Sequence, residues 1–234
     1  MDYNLFAKSK DGKFLFEGPL SDDNINIKIL FVMEEPHGEE LNCFWMKEKV
    51  LTQKEGSRYY NVLGAFAKKI LNEKNNGSAL KQCAYINFYP FKGDSTAKLD
   101  KETRKSYKDL IKDWEKTQKN KGVFDLEAAH SITFESSNQE LLCNRLRIIK
   151  DALDHGIDVV AFHEIVKKLT SDKMFEGMFK KSDDYADNKC HIACYQYKDT
   201  AKLHAIPHPA TRGNSNFNYE NLAKILNISS VYSK

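Results

Sequence analysis

The chain has 234 residues, and its formal net charge of +3 is too small to identify a partner. This length suits one α/β domain with a substantial buried core. The N-terminal segment lacks the apolar core of a signal peptide and no apolar run is long enough for a bilayer, which predicts a cytoplasmic protein that contacts no membrane. The five cysteines are widely spaced without a Cys-x-x-Cys pair, which favours reduced thiols.

Residues 27–38 form the most informative stretch, an apolar run that ends in two carboxylates, a proline and a histidine. The continuous apolar segment 29–33 is typical of a parallel strand covered on both faces. Ligands of open α/β sheets bind beyond the carboxyl ends of such strands. Glu34, Glu35 and His37 are therefore candidate site residues. The alternative is a solvated turn, because acidic residues and proline commonly occur in loops.

A second strand is predicted over residues 83–91, where the chain runs into a proline. Asn87 lies in this strand, and its amide offers both a donor and an acceptor, so it could read the edge of a base that carries both. The alternative role is an asparagine that caps a turn.

Helices are predicted between the strands from apolar residues at helical spacing. A Gly-Pro turn is predicted at residues 18–19, before the first strand. One helix contains residues 59–70, after that strand. A later helix ends at Gly156, which is expected in the left-handed conformation. A third strand, residues 157–162, precedes a helix that starts at His163. A break is predicted at residues 76–78.

The lysine-rich segment 98–122 is predicted to be a helical insertion in a single domain spanning residues 1–234. Its lysines alternate with acidic residues, which favours a solvated helix face over a nucleic-acid patch. The last third is predicted to hold a strand at 189–197, a turn, and a final strand that ends before His208 and a polar loop containing Arg212.

Cys190, His191 and Cys194 are candidate zinc ligands by residue type. Alternation along a strand sends Cys190 and His191 to opposite faces and leaves too few ligands. We therefore expect no metal and no other cofactor.

The three strand-end motifs, taken in order, resemble those of the uracil-DNA glycosylase superfamily. Residues 33–37 read Met-Glu-Glu-Pro-His where that superfamily has Gly-Gln-Asp-Pro-Tyr or Gly-Glu-x-Pro-Gly. Asn87 matches the strand asparagine that reads uracil, and residues 208–212 read His-Pro-Ala-Thr-Arg where the family has His-Pro-Ser-Pro-Leu. Met33 thus replaces a glycine, Glu35 an aspartate, and Arg212 the intercalating leucine.

The resemblance implies a role for each matching residue. Glu35, with Glu34 as the alternate, would orient water and stabilise an oxocarbenium-like sugar. His208 would donate to the departing base. His37 would pack on the base, with Phe91 or Tyr89 as its stacking partner.

These assignments predict that the substrate is bound by His37, Asn87, Phe91, Arg212 and His163. The implied fold is α/β, a three-layer α/β/α sandwich around a mainly parallel four-stranded sheet, and the implied protein is a monomer that binds DNA or another nucleic acid. The implied function is excision of uracil or another deaminated base. Two alternatives remain: a catalytically silent nucleic-acid or nucleotide binder on the same fold, and a hydrolase that holds a metal with Glu34, Glu35, His37 and His208.

Overall fold

A computed structural model describes residues 18–21, 26–33, 58–88, 145–187, 192–207 and 224. These ranges contain seven strands, four α-helices and one 3-10 turn. The strands are β1 (Gly18–Pro19), β2 (Ile29–Met33), β3 (Cys83–Asn87), β4 (Asp158–Phe162), β5 (Phe179–Asp187), β6 (Ile192–Tyr197) and β7 (Ala201–Ile206). The helices are α1 (Arg58–Leu71), α2 (Asn76–Leu80), α3 (Arg145–Asp154) and α4 (His163–Ser171), and the 3-10 turn is Lys173–Phe175.

The strands form one mixed sheet in the order β1-β3-β2-β4-β7-β6-β5. The neighbours β3, β2, β4 and β7 are parallel to one another. Antiparallel strands flank them, β1 on one side and β6 with β5 on the other. The α/β class is confirmed, but the sheet has seven strands rather than the four predicted, because antiparallel strands extend the parallel centre at both sides.

The parallel strands hold the core. Every residue of β3 is buried, as are the first four of β2 and the last four of β4. Continuous apolar runs of this kind are expected where a parallel strand is covered on both faces. The prediction of strands from the apolar segments 29–33 and 157–162 is therefore confirmed, with β4 starting one residue later.

Helix α1 packs on the sheet through residues at helical spacing. Tyr60, Leu63, Phe66 and Ala67 are all buried. The Phe66 ring makes an edge contact with His204 of β7, with the ring centroids 5.3 Å apart. This apolar stripe explains the helix, which extends one residue beyond each end of the predicted range 59–70.

Helix α3 ends as the sequence predicted. Gly156 has φ of +75°, the left-handed conformation that glycine adopts at low cost after a helix. Leu146, Ile149 and Leu153 are buried along α3. The chain then enters β4 and continues directly into α4 at His163, also as predicted.

Two local predictions were wrong. Gly18 and Pro19 form no turn, because they pair with Tyr85 and Ala84 as a short strand. Residues 76–78 start α2 rather than break the chain, because the Asn75 side chain accepts a hydrogen bond of 2.8 Å from the Ser78 backbone N–H and caps the helix.

Strand β5 was missed altogether. Its sequence, Phe-Lys-Lys-Ser-Asp-Asp-Tyr-Ala-Asp, lacks the apolar alternation of a half-buried strand, and its register with β6 shifts between Lys181 and Ala186. The predicted insertion at 98–122 and the end of the chain, apart from residue 224, lie outside the described residues. Among the helices of the described ranges, none is long and apolar enough to cross a membrane.

Candidate functional site

The carboxyl ends of the four parallel strands share one edge of the sheet, called here the carboxyl edge. Met33 of β2 pairs with Asn87 of β3, and Phe162 of β4 pairs with Ile206 of β7. Val32 pairs with Ala161, so the next residues, Met33 and Phe162, continue that register. Paired residues on neighbouring strands face the same side of a sheet. Asn87, Met33, Phe162 and Ile206 therefore form one row at this edge.

Asn87 is the polar member of this row and is 4% exposed. The backbone is held where β3 ends, since the Phe88 N–H donates to the Met33 carbonyl at 2.8 Å. The sequence predicted Asn87 at a strand end, and the structure places it there.

His163 lies at the same edge, as the first residue of α4 directly after β4. Its side chain is half-buried, and its ring nitrogen Nδ1 is buried. Glu164 follows in the first turn of the helix, on the exposed surface. The structure thus brings Asn87 and His163 to one edge of the sheet, two strands apart.

The other six predicted site residues lie outside the described residues. Two of the three segments that contain them start next to described strand ends, because Glu34 follows Met33 and His208 follows Pro207 in the sequence. Their assigned roles remain predictions. These six residues are Glu34, Glu35, His37, Phe91, His208 and Arg212.

The opposite edge, where the parallel strands begin, holds a polar cluster that was not predicted. We call Asp158, Asp184, Cys194, Lys202 and His204 the amino-edge cluster. His204 is 1% exposed, its Nε2 lies 3.4 Å from an Asp158 oxygen, and its Nδ1 lies 3.8 Å from the Cys194 sulfur. The other Asp158 oxygen accepts from the Lys202 backbone N–H at 2.9 Å.

A cavity of about 450 Å³ opens beside this cluster. Its walls include four of the cluster's five residues, and Ile70 at the end of α1 supplies an apolar wall. The lining residues outside the cluster are Ile70, Gln196, Asp199, Thr200 and Ala201.

The order thiol, imidazole, carboxylate matches that of a nucleophilic relay, but the electrostatics oppose one. Burial, followed by the charge of Asp184, raises the pKa of the Cys194 thiol to about 11. Cys194 is 0% exposed, so at neutral pH it is a protonated, enclosed thiol. Reactive cysteines have the opposite surroundings, partly exposed and electropositive.

The charges of the cluster pair with each other. Lys202 Nζ donates to Asp184 at 2.7 Å, and this hydrogen bond lowers the pKa of Asp184 and raises the pKa of Lys202. Across the part of the chain that the structure describes, no group of three or more His, Cys, Asp or Glu side chains is arranged to hold a metal. Because its polar groups are hydrogen-bonded to one another, we assign the amino-edge cluster a structural role.

A second ion-pair group ties α3 to the β6–β7 turn. Asp154 accepts from the Tyr197 hydroxyl at 2.9 Å and from Lys198 Nζ at 2.8 Å, and it also pairs with Lys150. Burial alone would raise the pKa of Asp154, but the hydrogen bonds from Lys150, Lys198 and Tyr197 outweigh it and lower that pKa to about 2. This group stabilises the amino edge of the sheet in its charged form.

Sequence reasoning missed the amino-edge cluster because its contacts depend on register. Asp158 and His204 are far apart in the sequence and meet only because β4 and β7 are neighbours. One signal was present: Lys202 and His204 alternate along a strand, as do Cys194 and Gln196, which puts polar groups on one face of adjacent strands.

The chain matches no known family model, no curated protein and no solved structure. The resemblance to the uracil-DNA glycosylase superfamily therefore remains a prediction from the three sequence motifs.

Proposed function

We propose that the protein is a DNA glycosylase that binds an extruded uracil or other deaminated base at the carboxyl edge and hydrolyses its N-glycosidic bond. One observation carries the proposal. The strands that precede the three motifs, β2, β3 and β7, are parallel members of one sheet and end at the same edge. Had β7 run antiparallel to β2, the two acid–base motifs would start at opposite edges.

The chemistry of base excision needs the residue types found in these motifs. A glycosylase must hold the base edge by hydrogen bonds and stabilise the charges that develop as the bond breaks. In the proposal Asn87 reads the base, Glu35 with Glu34 orients the attacking water, and His208 donates to the leaving base. His37 and Phe91 pack on the base, and His163 lines the site from the start of α4.

The burial of Asn87 supports a base as the ligand. Asn87 is 4% exposed, so a ligand that bonds to both the donor and the acceptor of its amide has to enter the protein. A flipped base enters the protein and is read there through its hydrogen-bonding edge. A planar base can enter the protein and can present a hydrogen-bonding edge to the amide.

We extend the proposal to the layer arrangement. The crossover from β2 to β3 contains α1 and the crossover from β3 to β4 contains α3, and the two run in opposite directions along the sheet. Right-handed crossovers in opposite directions put their helices on opposite faces. The proposed architecture is therefore an α/β/α sandwich, with the parallel strands as its centre.

The proposed partner is DNA, and Arg212 contacts a phosphate or fills the gap left by the flipped base. Binding that depends on phosphate contacts weakens steeply as salt rises. Salt titration of oligonucleotide binding tests this part, and affinity that does not change with salt would favour a small ligand.

The deciding experiment measures release of free base from oligonucleotides that contain uracil, hypoxanthine or xanthine. The variants are Glu35→Gln, His208→Ala and their combination, each checked for folding by thermal melting. We expect release by the wild type, and a loss of about 10²–10³ in rate for His208→Ala, the usual contribution of one electrostatic donor. Release that equals that of the double variant would refute catalysis, and lesion-specific binding would then assign a silent base-binding protein on the same fold.

A further inference from the structure

The chain uses arginine sparingly and places three of its arginines at the starts of two helices. Of the 36 lysine and arginine residues, five are arginine: Arg58, Arg104, Arg145, Arg147 and Arg212. Arg58 is the first residue of α1, and Arg145 and Arg147 lie in the first turn of α3. Arginine carries the same charge as lysine, but its planar guanidinium can bind a phosphate through two parallel hydrogen bonds.

Both helix starts lie on the side of the carboxyl edge, because the other ends of these helices lie at the amino edge. Ile70, near the end of α1, lines the amino-edge cavity, and Asp154, the last residue of α3, accepts from the Tyr197 hydroxyl. Helices of 14 and 10 residues are about 21 and 15 Å long, and the five residues of β4 span about 16 Å. Each helix therefore runs the length of the parallel strands and starts near their carboxyl ends.

A cation at these positions is unfavourable on local grounds. The N-terminus of a helix carries a partial positive charge, so acidic residues stabilise the first turn and basic residues oppose it. Neither α1 nor α3 has an acidic residue in its first turn, whereas α4, which also starts at the carboxyl edge, has Glu164 there. A residue choice that works against its own helix is expected mainly at functional positions.

The start of α3 also presents one of these cations to solvent. Arg147 is exposed, while its neighbours Leu146 and Ile148 are buried in the core. A guanidinium has five N–H donors, so it can bind a phosphate while it keeps a contact within the protein.

We infer that Arg58, Arg145 and Arg147 form an arginine rim that binds phosphates of the DNA backbone on both sides of the base site. In the proposed layer arrangement α1 and α3 cover opposite faces of the sheet, so the row that contains Asn87 lies between the two parts of the rim. The inference rests on the proposed function for its choice of DNA as the partner. The rim holds the backbone and reads no sequence, as phosphate contacts generally do.

The test measures binding of undamaged duplex DNA by fluorescence anisotropy at a series of salt concentrations, so it requires no base release. The variants are Arg58→Ala, Arg147→Ala and their combination. Lys69→Ala is the matched control, because it removes an exposed cation from the amino-edge end of α1. Arg147→Lys keeps the charge but not the planar fork. Urea unfolding of each variant checks that the fold is kept.

The readout is the slope of the logarithm of affinity against the logarithm of salt concentration. We expect each arginine-to-alanine variant to reduce the steepness of this slope by about 1, since one phosphate contact on duplex DNA contributes roughly 0.9. The double variant should lose about 2, and Lys69→Ala should keep the wild-type slope. Arg147→Lys should keep the slope but bind more weakly than the wild type, because a point charge replaces a bidentate contact.

The outcomes separate the two proposals. If the arginine variants keep the wild-type slope, or if Lys69→Ala reduces it equally, the arginine rim is wrong, and base release by the wild type would still support the glycosylase proposal. If the wild type and the variants show the expected slopes but the wild type releases no base, the arginine rim stands and catalysis is refuted. If the wild type binds no duplex DNA even at low salt, the inference is wrong.

Discussion

The carboxyl edge and the amino edge of the same four parallel strands use polar residues in different ways. At the amino edge, Asp158, Asp184, Lys202 and His204 form hydrogen bonds and ion pairs with one another. At the carboxyl edge, the row contains a single amide, Asn87, beside three apolar side chains.

The difference shows that a cluster of titratable groups is not by itself a site. Charges that are paired with each other stabilise a fold and are less available to bind a ligand. An amide between apolar neighbours, next to segments rich in carboxylate and imidazole, is closer to the composition of ligand sites, which are mostly apolar with few polar groups. Three variants and one labelling experiment test this contrast.

The largest expected effect comes from Asn87→Ala. It should lower base release by about 10²–10³ and reduce discrimination between bases, because the site would lose the group that reads the base edge. The matched control is Gln196→Ala, which removes an amide at the amino edge that donates to the Ala201 carbonyl at 3.0 Å. An equal loss of release in both variants would show that the two edges do not differ in function.

The next effect should be on stability alone. Asp158→Ala leaves the Lys202 N–H without its acceptor and removes the carboxylate beside His204, so the free energy of unfolding should fall by about 1–3 kcal/mol. Base release should stay within about twofold of the wild type, as expected for a residue outside the site. Asp199→Ala, an exposed residue that lines the same cavity, should change stability by less than about 0.5 kcal/mol. A large loss of base release in Asp158→Ala would give the amino edge a functional role.

A smaller effect should appear as a pH dependence. Asp154 has a pKa of about 2 in the folded protein against an ordinary value of 3.8, so its ion pairs contribute stability above pH 3.8 and lose it as the pH falls towards 2. Asp154→Asn should therefore cost up to about 1 kcal/mol at pH 7, and the difference from the wild type should shrink over that acidic window. Urea midpoints at a series of pH values measure it. A difference that stays constant into acid would mean that the ion pairs do not contribute.

The last prediction is that the Cys194 thiol does not react in the folded protein. Cys194 is enclosed and its pKa is about 11, so the folded protein should not be alkylated there by iodoacetamide at pH 7. Peptide mass spectrometry locates the label, and the same reaction in denaturant is the positive control. Rapid labelling of the native protein would identify a reactive thiol and overturn the structural assignment of the amino-edge cluster.

The parallel centre of the fold was predictable, but its additions were not. Strands β2 and β4 have apolar runs that need cover on both faces, and helix α1 has a clear apolar stripe, so the alternation of strands and helices followed from the sequence. Strand β5 did not follow, because Lys180, Lys181 and Asp184 interrupt any alternation. Its strand conformation comes from pairing with β6, a tertiary effect that local patterns do not carry.

The same limit applies to the site. The convergence of strand ends could be inferred, since it depends only on parallel strands joined by crossovers. The pairing of Met33 with Asn87 could not, because it depends on a register that the surrounding packing fixes. Sequence motifs thus gave the candidate residues, whereas side-by-side geometry came from the structure alone.

The central place of β2 has a consequence for folding. It is the first of the four parallel strands to be synthesised, yet it pairs with β4, which follows much later in the chain. When distant segments pair, chain entropy is lost on closing the loop before the stabilising contacts form. Folding that depends on such pairings is therefore slow. We therefore expect the nascent chain to carry an incompletely covered apolar strand until β4 emerges from the ribosome, a state in which chaperone binding protects it from aggregation.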